Sequence, residues 1–335
     1  MPAWDALADA VARARSLIAA AAPDAQTLAE GEAYVSRLVA SALADATLGH
    51  LLREEGLSRP LPVRGGPNPD YIMRHAPVDA AQRYRLEGCL NHSERIGVGL
   101  YAFGANGAPL ERGYKVFDTS NCGENGRFTL TIGAGVAAPD ALAIEPGARV
   151  LLIRILHRDA GAEPARLRLV GGVPARGLSL ATGANDGALI MVARSVENSV
   201  REYLKWTTAV LAHPNAFAPA PPELAATVQA DPDTAYYLGG FMVGDDEWLE
   251  IIMPPAIKGY WSVHAYNYWF EHLQTPGVHD RNAKPDSDGR IRIALGASAP
   301  ATMINRIDTL GVRRGALICR IIGASGCPET ILHGR

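Results

Sequence analysis

Apolar residues recur at helical spacing at the start of the chain. Trp4, Leu7, Val11 and Ile18 form one stripe, and after a break at Pro23 and Asp24 a second runs through Leu28, Val35, Leu38 and Ala42. This predicts two helices joined as a hairpin. From about Leu61 the texture changes to short apolar runs punctuated by Gly and Pro, at 83–87, 96–103, 127–132 and 150–156, which read as strands. In the second run Ile96, Val98, Leu100 and Ala102 alternate with Gly97, Gly99, Tyr101 and Phe103. That pattern predicts a strand buried on one face and closely approached on the other. Helical periodicity returns over 185–214 in Val192, Val196, Val200, Leu204 and Leu211, followed by a proline-rich stretch at 214–222. Further strand-like runs lie at 236–243, 248–253, 260–268, 290–295 and 316–322.

The expected architecture is therefore α+β: two antiparallel β-sandwich or jelly-roll-like halves with an N-terminal helical hairpin and a helical insertion. The boundaries that follow are 1–60 for the helical region, 61–184 for a β-rich domain, 185–230 for the insertion and linker, and 231–335 for a second β-rich domain. At 335 residues, 48% hydrophobic and 20% charged, the composition is that of a folded globular protein. A net charge of −3 offers no bulk attraction to nucleic acid or an anionic membrane, so neither is expected as a partner. The start carries no basic signal region, and no apolar run reaches the roughly 18–20 residues that span a bilayer. A cytoplasmic protein is the expectation, with Cys89, Cys122, Cys319 and Cys327 as reduced thiols. The alanine-rich faces of the first two helices suggest a homodimer contact.

Several short stretches keep a common order with a known family. They begin with Asn68-Pro69-Asp70-Tyr71, Val78-Asp79-Ala80, Arg83-Tyr84-Arg85 with Gly88, then Arg154, Asp159 and Glu163-Pro164. They continue with Tyr260-Trp261-Ser262, Asn267, Trp269, Glu271, Arg281, Asp288-Gly289, Asn305, Asp308-Thr309, Arg314-Gly315 and Arg320. Over about residues 65 to 325 the chain resembles the bacterial family filed as domain of unknown function 1214, with the 1254-like β-rich region that accompanies it. Arg306 departs from the pattern, standing where related sequences carry Trp, as does the loop at 275–284. The resemblance implies a β-sandwich or jelly-roll fold with helical additions and no defined activity.

The stretch 260–272, Tyr-Trp-Ser-Val-His-Ala-Tyr-Asn-Tyr-Trp-Phe-Glu-His, is aromatic and polar at once. On a continuous strand His264, Tyr266, Tyr268, Phe270 and His272 share one face. The stretch predicts the wall of a mostly apolar pocket for a hydrophobic small-molecule ligand, with Tyr266, Asn267, Tyr268 and Trp269 as contacts. His264 is the leading acid/base, because imidazole titrates near neutrality. Glu271 or Asp308 would orient it, and Arg306 or Arg281 would anchor negative charge. Ser262 as a nucleophile lacks an obvious base. His157, in His157-Arg158-Asp159, forms a second candidate group, and Tyr71, His75 and Arg85 a third. No GxGxxG, phosphate-binding loop, GxSxG or HExxH occurs, so no cofactor is expected. The leading expectation is a small-molecule lyase, isomerase or hydrolase without a nucleotide cofactor. The alternatives are a non-catalytic carrier of an apolar ligand and a metal-dependent enzyme using His264, His272 and His279.

Overall fold

Helical stripes and alternating strands resolve into three long helices and a set of four-to-five-stranded sheets. The structure is a computed structural model and describes residues 2–49, 51–59, 65–104, 109–172, 184–222, 229–255 and 257–334. Helices α1 (Ala3–Ala21) and α2 (Ala25–Leu43) form the expected hairpin. Asp24 caps the second helix, its Oδ1 accepting from the Thr27 N–H at 2.8 Å. The buried stripe of α1 is Ala3, Leu7, Ala10, Ala14 and Ile18, whereas Trp4 is 61% exposed. Small residues face inward because the helices pack closely. A Cβ on Gly31 of α2 would lie 2.4 Å from Ile18 and 2.8 Å from Trp269.

After a small ribbon, β1 (Arg53–Glu54) and β2 (Leu57–Ser58), come β3 (Tyr71–Pro77), β4 (Arg83–Cys89), β5 (Arg95–Phe103), β6 (Pro109–Asp118), β7 (Arg127–Gly133), β8 (Ala141–Ala143), β9 (Val150–Leu156) and β10 (Arg166–Val170). These eight make two sheets, ordered β10-β4-β7-β8 and β3-β9-β5-β6. Between them lies an apolar core of Leu86, Val98, Leu130, Ile153 and Leu167. Ile96, Val98 and Leu100 point into it, as the alternation predicts.

Helix α3 (Ala184–Leu211) follows, then β11 (Ala216–Pro219), β12 (Thr234–Met242), β13 (Trp248–Ile252), β14 (Trp261–Tyr266), β15 (Val278–His279), β16 (Arg292–Leu295), β17 (Asn305–Ile307), β18 (Arg314–Ile322) and β19 (Glu329–His333). They form a second pair of sheets, β11-β12-β18-β14-β15 and β17-β16-β13-β19, around Phe241, Ile251, Val263, Ile293 and Leu317. Pairing is antiparallel except for β7 with β8 and β16 with β17. The fold is thus α+β, built of two β-sandwiches with helical additions.

One sequence expectation changes in detail. The proline-rich stretch expected as a linker contributes β11, which pairs with β12 at the sheet edge, where Pro is tolerated because its missing N–H faces outward. The inward alanines of α1, Ala3, Ala10 and Ala14, pack in one cluster with α3 and Trp269. Cys89, Cys122, Cys319 and Cys327 are all unbonded. Among the described residues no helix is long and apolar enough to cross a membrane.

Candidate functional site

Each sandwich turns one sheet face toward its own apolar core and the other face of its inner sheet toward the neighbouring sandwich. Strand alternation decides what meets there. On β3-β9-β5-β6 the outer face carries Tyr71, Arg154, Arg95, Gly97, Gly99, Tyr101 and Tyr114, registered by the pairs Gly97 with Arg154 and Gly99 with Tyr114. On β12-β18-β14 it carries Tyr236, Arg320, Ser262, His264 and Tyr266. A buried layer rich in tyrosine and arginine therefore separates the two sandwiches. Charged side chains are expensive to bury unless paired, and most of these are paired across the boundary. Arg95 grips Asp231 in a bond with both oxygens within reach, and Asp233 at 2.6 Å. Arg158, which follows β9, pairs with Glu94 and Asp280 and lies 5.3 Å over the Tyr260 ring.

His264 sits on β14 and is 1% exposed. Its Nε2 lies 3.8 Å from Asp70 Oδ1. The Tyr260 hydroxyl donates to Asp70 Oδ2 at 2.8 Å, accepts from Asn68 Nδ2 at 2.7 Å and shares a bond with Ser262 Oγ at 2.8 Å. Tyr260 meets Tyr71 edge to face at 6.0 Å. Arg320 donates to the Tyr266 hydroxyl at 3.0 Å and to the Gly66 carbonyl at 2.7 Å, and the Tyr266 hydroxyl in turn donates to the Pro67 carbonyl at 2.6 Å. The 66–70 segment is thus bound to β14 and β18 by its backbone and by Asp70. Gly277 has no room for a side chain, since a Cβ there would fall 2.3 Å from His264 Cδ2.

The chain turns back after Tyr266, and His272 forms a bridge with it. The His264 and His272 rings meet edge to face with centroids 5.5 Å apart. His272 Nδ1 accepts the Gln274 N–H at 3.1 Å, which puts the ring proton of the neutral form on Nε2. That Nε2 and the Nδ1 of His264 are buried without a hydrogen-bond partner among the described residues. Burial, reinforced by the Arg320 charge, holds His264 well below the ordinary imidazole range and brings His272 to about 4. Burial likewise pushes the Asp70 carboxyl up, against the Tyr260 hydrogen bond. Two neutral imidazoles therefore stand side by side near a buried cation. A cleft of about 530 Å³ opens beside His272, walled by Tyr34 and Leu38 of α2, Pro67, Glu271, Leu310 and Val312.

The structure brings together some of the predicted site residues and separates others. His264, Tyr266 and Tyr71 lie in the buried layer. The continuous strand expected over 260–272 ends at Tyr266, and Phe270 has a φ of 57°, so Tyr268 and Trp269 turn away from His264. Tyr268 donates to the Ala21 carbonyl at 3.2 Å, and Trp269 donates to the Thr27 carbonyl at 3.0 Å and stacks on Tyr34. Both anchor the helices. Asn267 organises the turn, its Oδ1 accepting from the Trp269 and Glu271 N–H groups.

Glu271 does not orient His264. It forms two bonds of 2.6 Å with Arg37 at the rim of the cleft. Asp308 and Arg306 are exposed beside the outer sheet, behind the second core. Asp308 accepts from the Leu310 N–H, and Arg306 donates to the carbonyls of Ala299 and Pro300. Arg281 is exposed and pairs with Glu94 at 3.1 Å. His157 meets Ser93 Oγ at 3.2 Å. His75 lies at the far end of β3, where burial lowers it in the neighbourhood of Asp45 and Arg53, and Arg85 pairs with Glu87 on the outer sheet. His279 is directed to Arg158 at 3.4 Å, and among the described residues no three His, Cys, Asp or Glu side chains converge as metal ligands. The carboxylate beside His264 is Asp70, singled out in the sequence only through the resemblance of its loop. Arg95, Arg154 and Arg320 share a signal that residue typing passes over: a lone arginine within or heading an otherwise apolar strand.

No family model matches the chain, and no curated protein matches it. Among solved structures, one of an uncharacterised protein from Burkholderia cenocepacia is similar over 99% of this chain and 96% of that one, at 26% identity and a TM-score of 0.86. A Vibrio parahaemolyticus protein aligns over 90% of this chain and 100% of its own, at 12% identity and a TM-score of 0.49. The first shows that the α+β architecture exists in a crystallised protein. Its description assigns no activity.

Proposed function

We propose that the chain is a small-molecule enzyme that works by proton transfer without a nucleotide cofactor, as a lyase, isomerase or hydrolase. The observation that carries this reading is the imidazole pair. His264 and His272 are both neutral, each has one buried nitrogen without a hydrogen-bond partner among the described residues, and His272 lines a cleft large enough for a small molecule. In this reading the apolar body of the substrate fills the cleft and its reacting end meets the pair. His264 takes the proton, with the Asp70 carboxylate behind it to stabilise the imidazolium. The Nε2–H of His272 donates to negative charge developing on the substrate. Arg320, held by Tyr266 and Gly66, adds a fixed positive field. The resemblance to the domain of unknown function 1214 family belongs to the same proposal. What supports it is that Asn68, Asp70, Tyr71, Arg154, Tyr260, Ser262 and Arg320, all quoted for that resemblance, face one buried layer.

Turnover of a panel of aryl and alkyl esters, lactones, β-hydroxy ketones and epimerisable α-substituted ketones tests the reading. At least one is expected to react, and His264→Gln is expected to slow it by a factor of about 10² to 10⁴. Equal turnover by the variant would remove His264 from the chemistry. A second reading, a non-catalytic carrier of an apolar ligand, is favoured by the low imidazole values, since a base near 4 accepts protons poorly at neutral pH. No turnover on the whole panel, with saturable binding of its apolar members, would select the carrier.

A further inference from the structure

Arg154 lies at the centre of β9 and is 5% exposed, yet neither of its terminal nitrogens has a hydrogen-bond partner among the described residues. Among the described residues no carboxylate stands within ion-pair distance of it, while Arg95 beside it is matched by Asp231 and Asp233. The Tyr101 ring lies 5.7 Å from the Arg154 guanidinium carbon. The hydroxyls of Tyr101 and Tyr114 are buried and also without a well-formed hydrogen bond among the described residues, with Arg154 close to the first and Asp231 close to the second. Burial pushes both phenols up while the Arg154 charge pulls them down, and the net direction is upward, so both remain O–H donors at neutral pH. The strand beneath is stripped of side chains to admit these rings. A Cβ on Gly97 would fall 1.9 Å from the Tyr114 hydroxyl, and one on Gly99 would fall 2.7 Å from the Tyr101 ring.

A buried guanidinium with both fork nitrogens unpaired, beside two unpaired hydroxyl donors, is an arrangement that native interiors avoid unless something accepts those bonds. The two guanidinium nitrogens can only donate, and each phenol has an O–H to donate. We infer that Arg154, Tyr101 and Tyr114 form a binding site for the carboxylate group of a small molecule, on the inner sheet of the first sandwich beside Tyr236 and Asp231. The planar fork matches two carboxylate oxygens in parallel, and the hydroxyls supply the two further donors that its remaining lone pairs accept. Arg95 and Arg154 together balance Asp231 and Asp233, and Asp231 acts on Arg154 as well as on both phenols. A monoanion therefore adds the least negative charge to the layer, and a dianion is disfavoured. The inference goes beyond the proton-transfer reading and does not depend on it, because it uses no group from the imidazole pair.

The test is thermal melting and titration calorimetry of the full chain with sodium formate, acetate and benzoate, against sodium chloride and inorganic phosphate at matched ionic strength. At least one carboxylate is expected to raise Tm saturably, with chloride and phosphate ineffective. Arg154→Met, which keeps the volume and removes the charge, is expected to abolish the response. The double variant Tyr101→Phe, Tyr114→Phe loses only two hydroxyls that make no well-formed hydrogen bond among the described residues. It keeps the fold and is expected to weaken carboxylate binding at least tenfold, so it decides the matter should Arg154→Met not fold. No saturable response to any carboxylate overturns the site, as does an equal response to chloride or phosphate, or a response that both variants leave unchanged. The outcome is independent of whether His264→Gln alters turnover.

Discussion

At the scale of single residues, the site depends on where side chains are missing as much as on where they stand. Gly277 illustrates this. The His264 ring occupies the space its Cβ would need, and the Val263 carbonyl stands 2.9 Å away. Gly277→Ala is therefore expected to push His264 off its place against Asp70 and to destabilise the fold by about 1–3 kcal/mol. Urea denaturation measures the loss, and the His264 ring signals in NMR report the displacement. Wild-type stability with an unmoved ring would refute the packing argument. The sequence made His264 stand out by its chemistry. Its partner Asp70 could not be found that way, because nearly two hundred residues separate them and an Asn-Pro-Asp segment alone reads as turn chemistry.

At the scale of elements, the predicted strands at 83–87, 96–103, 150–156 and 248–253 agree with β4, β5, β9 and β13 to within two residues. They were legible because each is bounded by Gly, Pro or charged turns and buried on at least one face. Among the strands that escaped notice, β3, β6 and β10 carry charged residues and read as polar. In Tyr71-Ile-Met-Arg-His the polar residues are satisfied only by the tertiary structure: Tyr71 faces the layer between the sandwiches, and Arg74 donates to the Ser58 and Glu54 carbonyls of the small ribbon. The return at Asn267 was equally hidden. Period-two alternation continues through Tyr268 and Phe270, yet the side-chain bonds of Asn267 fold the backbone, and the Trp269 side chain pins the turn to the helices. Trp269→Ala, losing the Tyr34 stack and the Thr27 bond, is expected to cost about 3–5 kcal/mol. Hydrogen exchange should show α1 and α2 losing protection before the sheets. Uniform loss across the chain would mean that the helices are not held through this residue.

At the scale of the whole molecule, four buried or half-buried histidines set the response to acid. Burial lowers His75, His264, His272 and His279, while an unfolded imidazole titrates near about 6.5. Between those values the unfolded chain binds more protons than the folded one, so stability rises with pH. The contribution is complete above about pH 6.5 and, for His272, is lost as the pH falls through about 4. Asp70, whose carboxyl is pushed up, acts in the opposite sense. The urea midpoint is expected to fall between pH 7 and pH 4.5, and His272→Asn is expected to make that slope shallower. A flat wild-type profile, or the same slope in the variant, would contradict the burial argument.

By itself the sequence determined the helices, most of the core strands and the α+β class, because hydrophobic periodicity is a local signal that each segment carries alone. It also marked His264 and the aromatic stretch around it. Only the tertiary structure decided that Asp70, His272 and Arg320 gather near His264, that Glu271 is drawn off to Arg37, and that Arg306 and Asp308 lie behind the second core. The physical reason is that a buried charge takes whichever partner the packed sheets bring within hydrogen-bond reach, and that choice follows from the register and stacking of strands far apart in the chain.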